Sequence, residues 1–255
     1  MKRILTAAAL IPIVVYVVVW ANFWIFLAVL ATVASLTYRE YAALAGEYGF
    51  GSPGPMGFAA GLLLLVWEGD AWLLTVALAL IALSLAMRGG DLSTSLPRAA
   101  VLFTGVVYVF GCWKFAMPLR AQNPHWLMYA LLLNWAGDAG AYYVGRKFGR
   151  HKMAPRVSPQ KSWEGAAASV VTSVLLAGWY LLRFVPGVSI AAAVGLTALA
   201  NAAGQVGDLA ESAMKRGAHV KDSGAMLPGH GGFLDRVDST LFALPVIYAY
   251  VKLVG

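Results

Sequence analysis

Long apolar runs separated by short polar segments dominate this chain. Helices are the structure that such runs predict, because a helix needs ~20 apolar residues to cross a bilayer and strands would show a period of two. We count about nine predicted spans, at 4–21, 23–37, 55–67, 71–87, 99–118, 125–145, 163–184, 188–210 and 237–254. The third run is short for a crossing and is also compatible with a re-entrant segment. The predicted fold class is an all-α, polytopic transmembrane helical bundle.

Composition points to the same class. Only 12% of the residues are charged, against about 25% in ordinary globular proteins, and 60% are hydrophobic. We therefore expect a single membrane-embedded domain over 1–255, with N-terminal spans at about 1–118 and the spans and loops that carry chemistry at about 125–254. The single cysteine, Cys112, excludes an intrachain disulfide and a cysteine-based metal site.

Basic residues are concentrated in the short loops between the apolar runs. If the N-terminus is cytoplasmic, all but four of the 19 Lys and Arg residues lie on the cytoplasmic side. This asymmetry predicts a cytoplasmic N-terminus and an external C-terminus in the inner (cytoplasmic) membrane. We therefore interpret the basic residues behind the net charge of +7 as topology determinants and as contacts to anionic lipids of the bilayer. No nucleic acid is expected as a partner.

One charged, glycine-rich segment interrupts the apolar pattern from 208 to 240. Asp208 and Glu211 are spaced i, i+3, and so are Asp235 and Asp238, so that on helices each pair would share a face. Such carboxylates can bind Mg²⁺, and backbone N–H groups approach phosphate closely where there is no Cβ. The segment therefore predicts a metal–polyphosphate site. The basic and glycine-rich residues between the two acidic pairs are Lys215, Arg216, Lys221, Pro228, Gly229, His230, Gly231 and Gly232.

A second polar constellation lies upstream. Asn134 and Asp138 interrupt an apolar span, and a basic segment with Arg146 and Lys161 follows. An intramembrane carboxylate is costly and is a functional candidate by default. Two alternatives stay open: Asp138 could form a hydrogen bond that serves packing alone, and the basic segment could act only as a topology determinant.

Four short motifs run through the two constellations: upstream Ser158-Pro159-x-Lys161-Ser162-x-Glu164-Gly165, then Ser212-x-Met214-Lys215-Arg216, Lys221-Asp222-x-Gly224 and Leu227-Pro228-x-His230-Gly231-Gly232-Phe233-x-Asp235-Arg236-x-Asp238. Together they resemble the phosphatidate cytidylyltransferases, a family also called the CDP-diacylglycerol synthases. The upstream part departs from the family at two positions. This chain has Ala139 where Thr or Ser is common, and Ser162 where Thr is common.

The resemblance implies transfer of a cytidylyl group from CTP to phosphatidic acid, with Mg²⁺ as cofactor and a second ion left open. The phosphate group of the lipid is itself the nucleophile. Its second pKa is ~6, so it is largely dianionic near neutral pH and no strong general base is needed. A polar cavity that faces the cytoplasm and a homodimer are also implied. The roles implied by the resemblance are metal binding by Asp208, Asp235 and Asp238, catalysis by Lys215, Arg216, Lys221, Asp222, His230 and Arg236, and substrate binding by Asp138, Arg146, Ser158, Lys161, Gly231 and Gly232.

Two other functions are compatible with the sequence. A CTP-dependent enzyme that acts on an isoprenoid-ether lipid phosphate would carry the same motifs, because only the shape of an apolar cavity separates acyl from isoprenoid tails. A transporter would also bury carboxylates in its spans, although it has no evident need for a basic, glycine-rich loop between them.

Overall fold

The computed structural model describes residues 2–50, 54–88, 91–226 and 231–254, with side chains from residue 10 onwards apart from residue 71. The elements in chain order are α1 (Lys2–Val19), α2 (Phe23–Glu47), α3 (Gly54–Val66), α4 (Ala71–Ala86), α5 (Leu92–Gln122), α6 (Pro124–Phe148), β1 (Lys152–Ala154), β2 (Ser158–Ser162), α7 (Trp163–Phe184), α8 (Ile190–Gly217) and α9 (Leu234–Val254). The helices α5 and α7 each contain a π-helical turn, at Val106–Gly111 and Val174–Gly178.

The helices follow the apolar runs of the sequence closely. Among the described residues, five of them (α2, α5, α7, α8 and α9) are long and apolar enough to cross a membrane. The helices α1, α3 and α4 contribute shorter apolar stretches, and the 25-residue α6 carries polar side chains along its length. The prediction of an all-α membrane protein is confirmed, whereas the count of nine spans stays a prediction.

One local prediction was wrong and another was incomplete. The apolar run predicted a span at 23–37, and the helix α2 that contains it continues to Glu47, where residues such as Tyr38 and Glu40 are buried. The segment between α6 and α7 was expected to be a loop and forms an antiparallel hairpin of β1 and β2. The hairpin is closed by the Trp163 N–H, which donates to the His151 carbonyl over 3.0 Å.

The helix α6 lies at the centre of the C-terminal half. It packs most extensively against α7 and also contacts α1, α8 and α9, while α8 packs along α9. Tyr129 and Leu133 of α6 are fully buried, as are Leu241, Leu244 and Ile247 of α9. A rigid apolar core therefore holds α6, α7, α8 and α9 together and fixes the positions of the polar residues that these helices carry.

Candidate functional site

A polar cleft of about 780 Å³ lies between α6, the hairpin, α7 and α8. It brings the upstream constellation of the sequence together with Asp208 of the glycine-rich segment. Residues far apart in the sequence can meet here because α6, α7 and α8 pack side by side. The polar and charged side chains that line the cleft belong to Asn134, Asp138, Tyr142, Arg146, Lys152, Ser158, Gln160, Lys161, Ser162, Ser169, Asn201, Gln205, Asp208 and Ser239.

Three aspartates and one lysine form what we call the pocket cluster: Asp138, Lys161, Asp208 and Asp238. The Lys161 ammonium lies 2.6 Å from Oδ2 of Asp208, and the two side chains are 25% and 35% exposed. Asp138 interacts electrostatically with Asp208, Lys161 and Arg236, and Asp238 interacts with both other aspartates. The pair of Lys161 and Asp208 is open to the cleft, so a ligand can reach both of its charges.

A second charged group lies beside the first and is closed to the solvent. The Lys215 ammonium is 2.5 Å from Oε2 of Glu211 and 2.5 Å from Oδ1 of Asp235. The other carboxylate oxygen of Asp235 accepts hydrogen bonds from the backbone N–H groups of Ser223 (3.0 Å) and Gly232 (2.8 Å) and from the Ser223 hydroxyl (2.9 Å). Asp235 therefore ties together the two sides of the loop that joins α8 to α9.

Glu40 of α2 completes this group, although it lies in the other half of the chain. It is 4% exposed, and its Oε2 accepts from the Leu234 N–H (2.8 Å). The same oxygen lies 3.0 Å from the Ser223 hydroxyl, whose single proton is shared between Glu40 and Asp235. A Cβ on Gly224 would lie 2.5 Å from Oε1 of Glu40, and one on Gly232 would overlap its Oε2, so a side chain at either position would displace the Glu40 carboxylate. We call Glu40, Glu211, Lys215, Ser223 and Asp235 the anchor cluster.

Sequence reasoning missed Glu40. The available signal was a carboxylate that directly continues an apolar run, which is a candidate for a buried functional group. The identity of its partners carried no signal, because Ser223 is 183 positions away. Gln205 and Asn201, which also line the cleft, were missed because neutral amides do not stand out among the small residues of α8.

The predicted same-face pairs of carboxylates are divided between the two clusters. Asp208 faces the cleft, whereas Glu211 faces Lys215. Asp235 also faces Lys215, whereas Asp238 belongs to the pocket cluster and interacts electrostatically with Asp208 and Asp138. Positions i and i+3 of a helix differ by about 60° around the axis, which is enough to reach different neighbours where helices pack closely.

The other predicted site residues lie at the edges of this region. Arg216 donates to the carbonyls of Val157 and Val220, both at 3.3 Å, and so joins the hairpin to the segment after α8. Gly231 has a φ of 77°, in the left-handed region that favours glycine. Arg146 donates to the Tyr142 hydroxyl over 2.9 Å, and Ser158 lies in the cleft. His230 lies outside the described residues. The remaining positions are the buried Gly232 and the exposed Lys221, Asp222 and Arg236.

The pocket cluster has the donor chemistry that Mg²⁺ prefers, with carboxylate oxygens from Asp138, Asp208 and Asp238. In the part of the chain that the structure describes, no three His, Cys, Asp or Glu side chains form a group that could hold a metal by themselves. Mg²⁺ is commonly bound by one or two carboxylates together with substrate phosphates, so these residues fit a metal that arrives with a nucleotide. Asp235, the third metal ligand that the resemblance implies, has both carboxylate oxygens bonded to the protein, so its role as a ligand stays a prediction.

Known proteins that resemble this chain share one name. A protein named phosphatidate cytidylyltransferase from Staphylococcus aureus (strain COL) is 33% identical over 254 residues, which are 96% of this chain and 97% of that protein. Proteins of the same name match over 150 residues in Bacillus subtilis (strain 168), at 38% identity, and in Staphylococcus haemolyticus (strain JCSC1435), at 41%. Those matches cover 58% of this chain and 56% and 57% of the two relatives. Residues 1–254 match the profile described as the cytidylyltransferase family, and the chain belongs to that family.

Proposed function

We propose that this chain is a phosphatidate cytidylyltransferase of the membrane, which transfers a cytidylyl group from CTP to phosphatidic acid in phospholipid biosynthesis. The products are CDP-diacylglycerol and pyrophosphate. The observation that carries the proposal is the cleft in which Asp138, Lys161 and Asp208 meet inside an apolar helical bundle. The similarity of nearly the whole chain to a protein of that name supports the choice of substrates.

The main obstacle to this reaction is electrostatic. A lipid phosphate that is largely dianionic near neutral pH must approach the α-phosphorus of a highly anionic nucleotide. Lys161 and Arg146 line the cleft and would bind phosphate oxygens, with Arg236 nearby, which lowers the repulsion and stabilises the leaving pyrophosphate. No described residue has to act as a nucleophile, because the attacking oxygen belongs to the lipid.

Mg²⁺ would be held by Asp208 and Asp238 with Asp138 beside them, and when bound it would neutralise phosphate charge and orient the triphosphate. Asp208 is paired with Lys161 in the described arrangement, so its carboxylate already has a cationic partner. The protein's own part is to present these oxygens at a fixed position on α6, α8 and α9. A second ion remains part of the proposal.

The location proposed for the reaction is the cytoplasmic face of the inner membrane. The hairpin carries a dense set of basic residues, and these belong on the cytoplasmic side by the positive-inside rule. In this orientation CTP enters a polar cavity from water and the lipid approaches from the bilayer. The proposed topology has about nine spans, with the N-terminus inside and the C-terminus outside. A homodimer is proposed from the family resemblance alone.

The names of the relatives favour phosphatidic acid over an isoprenoid-ether lipid phosphate, and nothing in the cleft favours a transporter. The test is to follow radiolabel from CTP into chloroform-soluble lipid in detergent, with phosphatidic acid or Mg²⁺ present or omitted. Label that enters lipid only when every component is present supports the proposal. If label enters an isoprenoid lipid phosphate and not phosphatidic acid, the assigned lipid substrate is wrong while the reaction type stands. If label enters neither lipid, the proposed function is overturned.

A further inference from the structure

Three buried or half-buried amide side chains form the floor of the cleft, about one helical turn from the aspartates of the pocket cluster. Asn134 precedes Asp138 on α6, and Asn201 and Gln205 precede Asp208 on α8. Asn201 and Gln205 form a hydrogen-bonded network with serine hydroxyls of α7, which reaches α6 at the Leu133 carbonyl. Asn134 is bonded separately, to Thr240 of α9. The mechanism of phosphate transfer uses none of these groups.

Every amide N–H of these three side chains is committed within the protein. Nδ2 of Asn134 donates to the Ala130 carbonyl (3.0 Å) and the Thr240 hydroxyl (3.1 Å). Nε2 of Gln205 donates to the Ala166 carbonyl (3.1 Å) and to Oδ1 of Asn201 (2.6 Å). These four bonds use both protons of each amide.

The same contacts fix which way each amide points. A backbone carbonyl can only accept, so the nitrogens of Asn134 and Gln205 must face Ala130 and Ala166. Nδ2 of Asn201 donates to Ser169 (3.0 Å) and to Ser173 (2.9 Å), whose own proton goes to the Leu133 carbonyl. The orientation therefore follows from chemistry and not from an arbitrary choice between nitrogen and oxygen.

What remains for a ligand is a pair of acceptors, Oδ1 of Asn134 and Oε1 of Gln205, for which the described residues supply no hydrogen-bond donor. Both residues line the cleft, and Gly204 beside them adds no side chain; its Cβ would lie 2.7 Å from Oδ1 of Asn134. Asp138, the next polar group on α6, is also an acceptor. The two amide oxygens themselves can only accept, so a ligand group that contacts both of them must donate.

We propose that the side-chain carbonyls of Asn134 and Gln205 select the pyrimidine base of the nucleotide by accepting hydrogen bonds from the exocyclic amino group of cytosine. Cytosine donates from this position, whereas uracil presents an acceptor there, which would face two acceptors and leave them unsatisfied. This inference rests on the proposed function. The order of groups in the cleft, from amides through carboxylates to Lys161 and Arg146, follows the order of base, α-phosphate and outer phosphates in CTP.

The first test uses the unmodified protein and three nucleotides: CTP, UTP and the triphosphate of pyrimidin-2-one riboside, which lacks the exocyclic group. We expect kcat/KM to fall by about tenfold or more from CTP to the pyrimidinone nucleotide and further to UTP, since UTP adds an unfavourable contact. Equal kcat/KM for CTP and the pyrimidinone nucleotide would overturn the inference. Absence of activity with CTP would overturn the proposed function itself, and the inference with it.

The second test assigns the effect to a side chain. Gln205→Met keeps the length of the side chain and removes the acceptor together with the amide's bonds to Ala166 and Asn201. We expect the loss of kcat/KM to be about tenfold larger for CTP than for the pyrimidinone nucleotide, because only CTP donates to the acceptor. Ser173→Ala is the control, because it weakens the same buried network without touching a free acceptor; its CTP-to-pyrimidinone ratio should equal that of the unmodified protein. Equal losses for both nucleotides in Gln205→Met would show a structural role and overturn the assignment.

Discussion

Two lysine–aspartate pairs of nearly equal length lie in adjoining parts of this protein and differ in burial. Lys161 and Asp208 are 2.6 Å apart with side chains 25% and 35% exposed, whereas Lys215 and Asp235 are 2.5 Å apart with side chains 12% and 6% exposed. The second pair also includes Glu211, whose side chain is fully buried. Distance alone would assign the same role to both pairs.

Burial separates their roles. Charges that face a cleft can exchange a protein partner for a ligand at small cost, because water and counterions stabilise each charge when the pair opens. Charges inside the protein depend on each other, since an unpaired buried ion loses its hydration without compensation. The pocket cluster is therefore suited to bind substrate, and the anchor cluster is suited to hold the loop between α8 and α9 in place.

The largest effect is expected from Asp208→Asn in the pocket cluster. Loss of this carboxylate removes a candidate metal ligand and a partner of Lys161, and we expect cytidylyl transfer to fall by about 10²–10³-fold. The melting temperature in detergent should change little, because the ion pair is partly exposed. Activity within tenfold of the unmodified protein would remove Asp208 from the site.

Lys215→Met tests the anchor cluster. It leaves Glu211 and Asp235 buried without a cation, and we expect the free energy of unfolding to fall by about 3–5 kcal/mol in denaturant titrations. The matched control is Lys161→Met, which should cost at most about 1 kcal/mol because its pair is partly exposed. The double variant Lys215→Met with Glu211→Gln should regain part of the loss. Similar stability losses in the two single lysine variants would contradict the proposed division of roles.

Glu40→Ala measures how strongly α2 holds the loop. It leaves the Leu234 N–H and the Ser223 hydroxyl without this acceptor, and we expect a loss of about 2–4 kcal/mol. Hydrogen exchange at residues 218–226 should become faster. Glu40→Gln should lose less than half as much, because it keeps an acceptor oxygen and Oε1 of Glu40 has no hydrogen-bond partner among the described residues. Unchanged exchange in Glu40→Ala would show that the loop is held by other contacts.

The smallest effect concerns Ser162, which caps α7 by accepting from the Gly165 N–H over 3.2 Å and follows Lys161 directly. We expect Ser162→Ala to cost about 1 kcal/mol and to raise KM for CTP, since the cap fixes the end of the strand that carries Lys161. Asn22→Ala removes the comparable cap of α2, where Asn22 accepts from the Ile25 N–H over 2.9 Å, far from the cleft. It should cost a similar amount with KM unchanged; a raised KM there would point to a global effect.

Much of the fold could be predicted from the sequence. The apolar runs located each helix of the described residues, because an unpaired polar backbone in lipid is so costly that such runs form helices. The hairpin was missed because its charged residues carry no apolar period, and the extension of α2 was missed because buried polar residues look like a loop. The charged motifs likewise named Asp138, Lys161 and Asp208, which the fold brings to one cleft.

The sequence by itself determined the class of the protein, the family to which it belongs and the residue types that its chemistry uses. Periodicity, composition and motif spacing are local properties of the chain and need no knowledge of distant contacts. Only the tertiary structure decided that Asp208 faces a cleft while Asp235 is enclosed, and that Glu40 holds a loop from the opposite end of the chain. The physical reason is that the effect of a charge depends on the dielectric and the partners around it, and packing sets both.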